Sequence, residues 1–360
     1  FMVQKPDVNF NENVNNFNEN IKIEIFDYLY DNHPPSDLDI SLSTVSKRDS
    51  VWDTHRNDTA DVSDIYALNA EFERYGERME FCSGWLKFGK AESGFLLKEA
   101  NFCRVRYCPV CQWRKSLYWR AMMYQKYDDM RLAYPTHHFL MLTLTVENPH
   151  ITDLRSTLQE MNKAWQRLIK RKEFGVVEGW IRTTEVTRDK VRPNTHAHPH
   201  FHCLLMVKPS YFGKGYVVQM DWVRLWADCL RVDYLPNVDI RVVKKKGKKK
   251  GEPLTYEDIK KGIVETLKYA VKPADIKGDD TPESYEWFYE LTRQTHKLRF
   301  VATGGVLKNA LKEDDNITNQ DMIKAGDDTD EMDEKTDKKR LNFTYYKSKK
   351  GYIYNPKFNE

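Results

Sequence analysis

A histidine-rich segment carries the side chains best suited to metal chemistry. Residues 196–202 contain four histidines, and the apolar residues that follow predict a strand over 200–207. Because side chains alternate across a strand, His200 and His202 project from the same face and can direct ring nitrogens at one cation. Phe201 then points to the other face, toward packed helices. The alternative is a chance cluster of polar loop and edge residues.

A metal held by two imidazoles needs a third ligand. The preceding predicted strand spans 177–187, Glu185 is the only carboxylate within its residues 180–187, and a symmetric hairpin would bring it near His202. The mixed nitrogen and oxygen set favours Mn²⁺ or Mg²⁺, although imidazole also accepts Zn²⁺ or Ni²⁺. His198 is the alternative third ligand. We therefore predict a divalent-metal site formed by Glu185, His200 and His202.

A second group of reactive side chains lies on a helix predicted over 255–271. At 100° per residue, Glu265, Tyr269 and Lys272 cluster opposite its apolar stripe. Such a pattern is common on helix surfaces, but a nearby cation would favour the ionised tyrosyl oxygen, whose usual pKa is about 10. Tyr269 is then a candidate nucleophile toward a phosphodiester, with Glu265 as a candidate general base. Lys268 and Lys272 are candidate phosphate contacts.

Four of the six cysteines form a third group. Cys103, Cys108 and Cys111 lie within one short segment, and Cys82 precedes them. A C-x-x-C pair with two further thiols predicts a structural Zn²⁺ site that staples residues 80–112 onto the chain that follows. A redox pair is the alternative, but the sequence lacks the βαβ context of thioredoxin-like proteins.

A basic and aromatic segment follows the cysteines over residues 112–127. Arg114, Lys115 and Arg120 alternate there with tryptophan and tyrosine residues. Cations interleaved with aromatic rings suit phosphate contact and base stacking, so these three are candidate DNA contacts. Core packing beneath a solvated basic face explains the same pattern equally well.

Charge is distributed unevenly along the chain. Residues 1–64 hold thirteen acidic and five basic residues, and residues 313–337 hold eleven and two, although the whole chain carries +3. The remainder is strongly basic, which favours a polyanionic partner such as nucleic acid; acidic tails on a solubilised surface are the alternative. No apolar run approaches the roughly 20 residues that span a bilayer, so we expect a cytoplasmic protein without a membrane partner.

The elements that position these groups alternate between strands and helices. Their order, β-α-β-β-α-β-α, predicts an α+β fold with an antiparallel-centred sheet, helices packed on one face and a zinc-stapled N-terminal subdomain. Strands are predicted over 139–146, 177–187, 200–207 and 238–243, and helices over 153–172, 221–231 and 255–271.

Four segments follow from these patterns. We expect a flexible acidic leader, a zinc-binding and basic-aromatic helical segment, a sheet domain with the histidines and the tyrosine, and an acidic, charged C-terminal segment. The C-terminal segment includes a short strand pair within residues 341–354. In chain order the four segments are 1–64, 65–130, 131–310 and 311–360.

Five motifs, in their joint occurrence and order, resemble plasmid rolling-circle replication initiators, which are HUH endonucleases of the single-tyrosine branch. The resemblance covers roughly residues 75–310. The motifs are the cysteine segment 101–116, the apolar strand 139–145, the histidines 198–202, the Glu-to-Tyr segment 265–269 and the segment 299–305.

The resemblance implies an HUH nicking domain over residues 131–310. It implies a Mg²⁺- or Mn²⁺-dependent nick at a plasmid double-strand origin, in single-stranded or cruciform DNA. Tyr269 would form a 5′-phosphotyrosine, a host polymerase would extend the free 3′-OH, and Glu265 would let water end the cycle. A host helicase is a further implied partner. The alternatives are a zinc-stabilised DNA-binding regulator without catalysis and a metal-dependent hydrolase that uses water throughout.

Overall fold

The chain forms two compact units. The first combines residues 1–111 with 319–360, and the second comprises residues 112–318. The first unit is therefore built from two separate stretches of chain, and the second from the stretch between them. The computed structural model describes residues 19–35, 38–91, 94–243, 273–312, 316–325 and 339–358.

Within these ranges we number ten helices and nine strands. The elements of the first unit are α1 (Glu19–Asn32), α2 (Leu42–Val45), α3 (Val51–Ala67), α4 (Glu73–Glu80), β1 (Trp85–Ala91), β2 (Gly94–Ala100), α10 (Asn319–Lys324), β8 (Leu341–Tyr346) and β9 (Gly351–Tyr354). The boundary between the units falls within α5 (Pro109–Ala133). The elements of the second unit are β3 (His138–Thr145), α6 (Leu154–Leu168), β4 (Val177–Arg188), β5 (Ala197–Val207), α7 (Gln219–Leu230), β6 (Val238–Val242), α8 (Pro273–Lys277), α9 (Pro282–Thr295) and β7 (Val301–Gly305). None of the helices in the described ranges combines the length and apolarity that a membrane crossing requires.

The first unit contains a four-stranded antiparallel sheet in the order β2-β1-β8-β9. Leu86 of β1 lies opposite Phe343 of β8, so the two stretches of chain meet within the sheet. Phe343 packs edge to face with Phe88 and Phe95 at centroid distances of 6.0 and 6.2 Å. The strand pair predicted within residues 341–354 is confirmed.

Residues 1–64 were expected to be a flexible leader, and this prediction is wrong for much of what the structure describes there. Trp52 and Val62 of α3 are buried, as is Phe26 of α1. The Trp52 ring packs edge to face against Tyr352 of β9, at 6.5 Å. The prediction failed because it gave the high number of acidic residues more weight than the few apolar ones. Those apolar residues fall on the buried faces of the helices.

The structure also divides the chain at other positions than expected. Boundaries after residues 64, 130 and 310 are replaced by boundaries after residues 111 and 318. The C-terminal residues belong with the first unit because β8 pairs with β1, a contact between residues far apart in sequence.

The second unit contains a five-stranded sheet in the order β6-β3-β5-β4-β7, in which every neighbouring pair is antiparallel. This confirms the α+β class and the antiparallel-centred sheet. The strands predicted over 139–146, 177–187, 200–207 and 238–243 correspond to β3, β4, β5 and β6. The helices predicted over 153–172 and 221–231 correspond to α6 and α7, whereas the helix predicted over 255–271 lies outside the described residues.

Helices pack against both faces of this sheet. Trp165 of α6 and Trp226 of α7 contact Phe201 of β5, each at a centroid distance of 6.4 Å. On the opposite face, Tyr127 of α5 packs against Phe139 of β3 at 5.9 Å. The prediction of helices on one face is therefore corrected. The C-terminal half of β5 is apolar on both faces, so both require cover.

Strand β7 forms one edge of the sheet through a close backbone approach. A Cβ atom at Gly304 would lie 2.4 Å from the Trp180 ring, and one at Gly305 would lie 2.1 Å from the carbonyl oxygen of Glu178. Gly305 also has a φ of +59°, which favours glycine. The two glycines that end the motif 299–305 thus allow β7 to pair with β4.

Candidate active site and cysteine site

Three side chains converge on one face of the β4–β5 pair. Glu185 lies opposite His200 in the register, and His202 follows two residues later on the same face. The Oε2 atom of Glu185 is 3.2 Å from Nε2 of His200 and 2.9 Å from Nε2 of His202. The ligand atoms of all three lie within 4.8 Å of one another. The register pairs Glu185 with His200 rather than His202, yet its carboxylate reaches both, and the group could hold a metal ion.

Hydrogen bonds on the far side of each ring fix the two imidazoles. Nδ1 of His200 donates to the carbonyl oxygen of His198 at 3.2 Å, and Nδ1 of His202 contacts Oγ1 of Thr143 at the same distance. With Nδ1 engaged, each Nε2 is directed at Glu185, the arrangement that orients imidazoles in metal sites. Sequence reasoning missed Thr143. Its position on β3, opposite His202 in the register, is the signal that could have identified it.

The structure separates His198 from this group. Its Nδ1 donates to Oδ1 of Asn148 at 2.7 Å, and the Asn148 amide in turn donates to Asp189. Among the described residues, the convergent set contains Glu185 and not His198. The geometry therefore favours Glu185 as the third ligand.

The local electrostatics keep Glu185 ionised. Burial alone would raise the pKa of this carboxyl, but hydrogen bonds from His200 and His202, and the attraction of their positive forms, lower its pKa to about 2. An ionised oxygen donor beside two imidazole nitrogens is a set that divalent cations accept.

The four predicted zinc ligands converge in the first unit. The Sγ atom of Cys82 lies 3.5 Å from that of Cys108 and 3.6 Å from that of Cys111, and Cys103 lies 3.7 Å from Cys111. Four thiolates bound to Zn²⁺ at about 2.3 Å in a tetrahedron are separated by about 3.8 Å, whereas a disulfide requires about 2.05 Å. All four cysteines are free. The cluster fits a tetrahedral metal ion and could hold one.

Backbone amides stabilise negative charge on these sulfurs. The N–H groups of Cys103 and Arg104 donate to Sγ of Cys82 and Cys111, at 3.4 and 3.3 Å. Burial and the neighbouring thiols raise the pKa of Cys82 and Cys103 well above its ordinary value, whereas hydrogen bonds from the other three thiols lower the pKa of Cys108 well below it despite burial. In the ion-free cluster one thiol is thus favoured as a thiolate, and a bound cation would favour ionisation of the others.

Three further predicted site residues, Arg114, Lys115 and Arg120, lie on α5 and belong to neither group. Arg114 and Lys115 are only 4% and 7% exposed, and the Arg114 guanidinium lies 5.1 Å from the centre of the Trp113 ring. Their prediction as surface phosphate contacts is corrected in favour of the packing alternative; Arg120 is exposed. The other four, Glu265, Lys268, Tyr269 and Lys272, lie outside the described residues.

This geometry defines a class of α+β protein. Its members carry a carboxylate and two imidazoles on a central strand pair, together with a separate four-cysteine cluster. A family model described as "Replication protein" matches residues 94–353. The chain is 35% identical over 296 residues to "Protein rep" of Streptococcus pneumoniae serotype 2 (strain D39 / NCTC 7466), covering 80% of this chain and 88% of that protein.

Two further relatives agree. "Protein rep" of Bacillus amyloliquefaciens is 33% identical over 276 residues, covering 72% of this chain and 80% of the relative, and "Replication protein" of Staphylococcus aureus is 34% identical over 200 residues, covering 54% and 82%. The chain belongs to the replication-protein family, Rep, as a plasmid replication initiator. No solved structure matches it.

The histidine–glutamate group should bind Mn²⁺ in the absence of DNA. We expect Glu185→Gln to abolish saturable Mn²⁺ binding, because it removes the anionic ligand. Thr143→Val should weaken binding by about tenfold or more, because it frees the His202 ring to rotate. Isothermal titration of the intact chain measures both effects.

His296→Ala is the matched control, since it removes an exposed imidazole of the same unit. Its Mn²⁺ affinity should equal that of the parent chain. Parental affinity in Glu185→Gln would contradict a metal site at this position.

The cysteine cluster should hold about one zinc ion per chain. Cys108→Ser should lose that zinc and lower the melting temperature, because a buried cluster would lack one ligand. Elemental analysis and thermal unfolding measure these changes. Cys229→Ser, a change of another buried cysteine, should retain the zinc. A stable parent protein without zinc would exclude the site.

Proposed function

We propose that this Rep protein nicks and rejoins a DNA strand at a plasmid double-strand origin, and so initiates and terminates rolling-circle replication. The observation that carries the proposal is the convergence of Glu185, His200 and His202 on one strand pair. Membership of the replication-protein family supports a role at an origin, and the HUH-like order of motifs supports the chemistry.

The donor sets support two different metals. Two imidazoles and an ionised carboxylate suit Mg²⁺ or Mn²⁺, whereas four thiolates suit a structural Zn²⁺. A divalent cation held by Glu185, His200 and His202 would polarise the scissile phosphate and stabilise charge on the leaving oxygen. The hydrogen bonds of His202 with Thr143 and of His200 with the His198 carbonyl oxygen hold both rings in place without reorganisation.

Tyr269 is the proposed nucleophile. Its phenolic oxygen loses a proton to solvent and attacks the phosphorus, while the bond from phosphorus to the 3′ oxygen breaks. The 3′ oxygen takes up a proton and becomes a free 3′-OH. The enzyme retains the 5′ end as a phosphotyrosine, which conserves the energy of the broken ester for later joining.

Glu265 is the proposed general base of the closing step. One helical turn before Tyr269 in the predicted helix, it accepts a proton from water as the water oxygen attacks the phosphotyrosine. The phosphorus–tyrosine bond breaks and the tyrosyl oxygen is reprotonated. If another 3′-OH takes the place of water, the strand is rejoined.

The proposed partners follow from this cycle. The substrate is single-stranded or cruciform origin DNA, contacted through phosphates by Arg120, Lys268 and Lys272. A host polymerase would extend the 3′-OH, and a host helicase would separate the strands ahead of it. The strongly basic remainder of the chain supports a polyanionic substrate.

A covalent adduct is the decisive test of the nucleophile. The intact protein is incubated with Mn²⁺ and a single-stranded oligonucleotide from a cognate origin, and the products are separated on a denaturing gel. We expect an adduct that survives denaturation and is absent in Tyr269→Phe, which lacks the attacking oxygen. Tyr216→Phe, at an exposed tyrosine elsewhere, should form the adduct normally.

Other outcomes identify the alternatives. Nicking without an adduct would favour a hydrolase that uses water throughout. Binding of the oligonucleotide with neither nicking nor adduct would favour a zinc-stabilised DNA-binding regulator.

The role of Glu265 is separable from that of Tyr269. Glu265→Ala should still nick and form the adduct, but water-dependent release should slow by about 100-fold, the usual contribution of a general base. The decay of isolated adduct over time measures release. An unchanged decay rate would remove Glu265 from the mechanism.

A further inference from the structure

A cavity of about 430 Å³ lies in the second unit, bounded by α6, β4, β7 and the residues on either side of β7 in the chain. Arg182 of β4 lies opposite Cys203 in the register, and its guanidinium carbon is 4.2 Å from the centre of the Phe201 ring. Because side chains alternate along β4, Arg182 and Glu185 project from opposite faces of the sheet. The cavity is therefore separate from the candidate metal site.

Arg182 is an unusual residue for this buried position. It is 4% exposed, and among the described residues neither its Nε nor its Nη1 has a hydrogen-bond partner. The rings of Phe201 and Trp165 pack against the face of the guanidinium and give these two donors no hydrogen bond. A buried cation with two unmet donors is costly, so an apolar side chain would serve packing better. Because Arg182 also lines the cavity, its charge points to an anionic ligand there.

Burial lowers the pKa of Arg182 to about 10. The guanidinium therefore stays protonated at neutral pH. An anion in the cavity would find a permanent positive charge already in place.

The cavity wall has the chemistry of a nucleotide site. Arg299 and Lys308 also line it, and no carboxylate does among the described residues. Three cations line the cavity, and two of them are guanidinium groups with paired N–H donors. Such a set fits a phosphate group better than it fits an anion with a single negative charge. Leu298 and Leu311 supply an apolar wall on which a base or sugar could rest.

We propose that this cavity binds one nucleotide, with its phosphate on Arg182, Arg299 and Lys308. The phosphate belongs either to a free deoxynucleotide or to the terminal nucleotide of a DNA strand. The site gives a binding role to Arg299 of the motif 299–305, a motif to which the nicking chemistry assigns no step. Binding here does not depend on the proposed nicking reaction.

Isothermal titration of the intact chain tests the site, without divalent cations so that the metal site does not contribute. The probes are dAMP, inorganic phosphate and a short single-stranded oligonucleotide with and without a 5′-phosphate. We expect dAMP to bind more tightly than inorganic phosphate. Lys308→Ala should weaken dAMP binding by about tenfold through loss of one charge-assisted contact, and Arg182→Gln should abolish it.

Lys172→Ala is the matched control, because it removes an exposed lysine of the same unit outside the cavity. If Arg182→Gln does not fold, Lys308→Ala still decides the matter, since Lys308 is exposed. Tighter binding of dAMP than of the phosphorylated oligonucleotide identifies a free nucleotide as the ligand. Tighter binding of the phosphorylated oligonucleotide than of both dAMP and its own unphosphorylated form identifies a DNA end. The proposal is overturned if neither dAMP nor the phosphorylated oligonucleotide binds saturably, if inorganic phosphate binds as tightly as the better of these two, or if Lys308→Ala binds like Lys172→Ala.

Discussion

The antiparallel pairing of β4 with β5 is the constraint on which the second unit depends. It sets Glu185 directly across from His200, and the two-residue period of the strand adds His202 to the same face. A slip of one residue would turn both imidazoles toward the tryptophans of α6 and α7 and bring Phe201 to the metal side. Burial of β5 on both faces makes such a slip expensive. The packing of the core and the geometry of the candidate metal site are thus fixed by the same set of hydrogen bonds.

The same sheet divides two kinds of chemistry. On one face, a carboxylate held ionised by two imidazoles forms a compact group with polar neighbours such as Thr143. On the other face, the aromatic rings that anchor the helices also carry the guanidinium of Arg182. Neither set of side chains lies on a mobile loop tip. Both are held by central strands, where rotamers are restricted by packing, so little entropy remains to be lost when a ligand binds.

Local patterns in the sequence predicted the second unit well. Alternation and helical spacing identified β3 to β6, α6 and α7, and the same alternation brought His200 and His202 together with Glu185, because such patterns reflect short-range geometry. Contacts between residues far apart in the chain could not be predicted from the sequence. Three features depend on tertiary contacts that leave no periodic pattern in the sequence. They are the pairing of β1 with β8, the burial of Trp52 within an acidic segment, and the burial of Arg114. Arg182 was missed for the same reason: one arginine in a strand has meaning only once its surroundings are known.

The composition of the first unit from two distant stretches of chain has a consequence for synthesis on the ribosome. Leu86 pairs with Phe343, so the sheet of the first unit cannot be completed until β8, about 250 residues after β1, has been translated. The second unit, continuous in sequence, can fold on the nascent chain before that. By folding, it shortens the effective loop between β1 and β8 and reduces the entropy that their pairing must overcome. The unit that contains the cysteine cluster is therefore the last to be assembled.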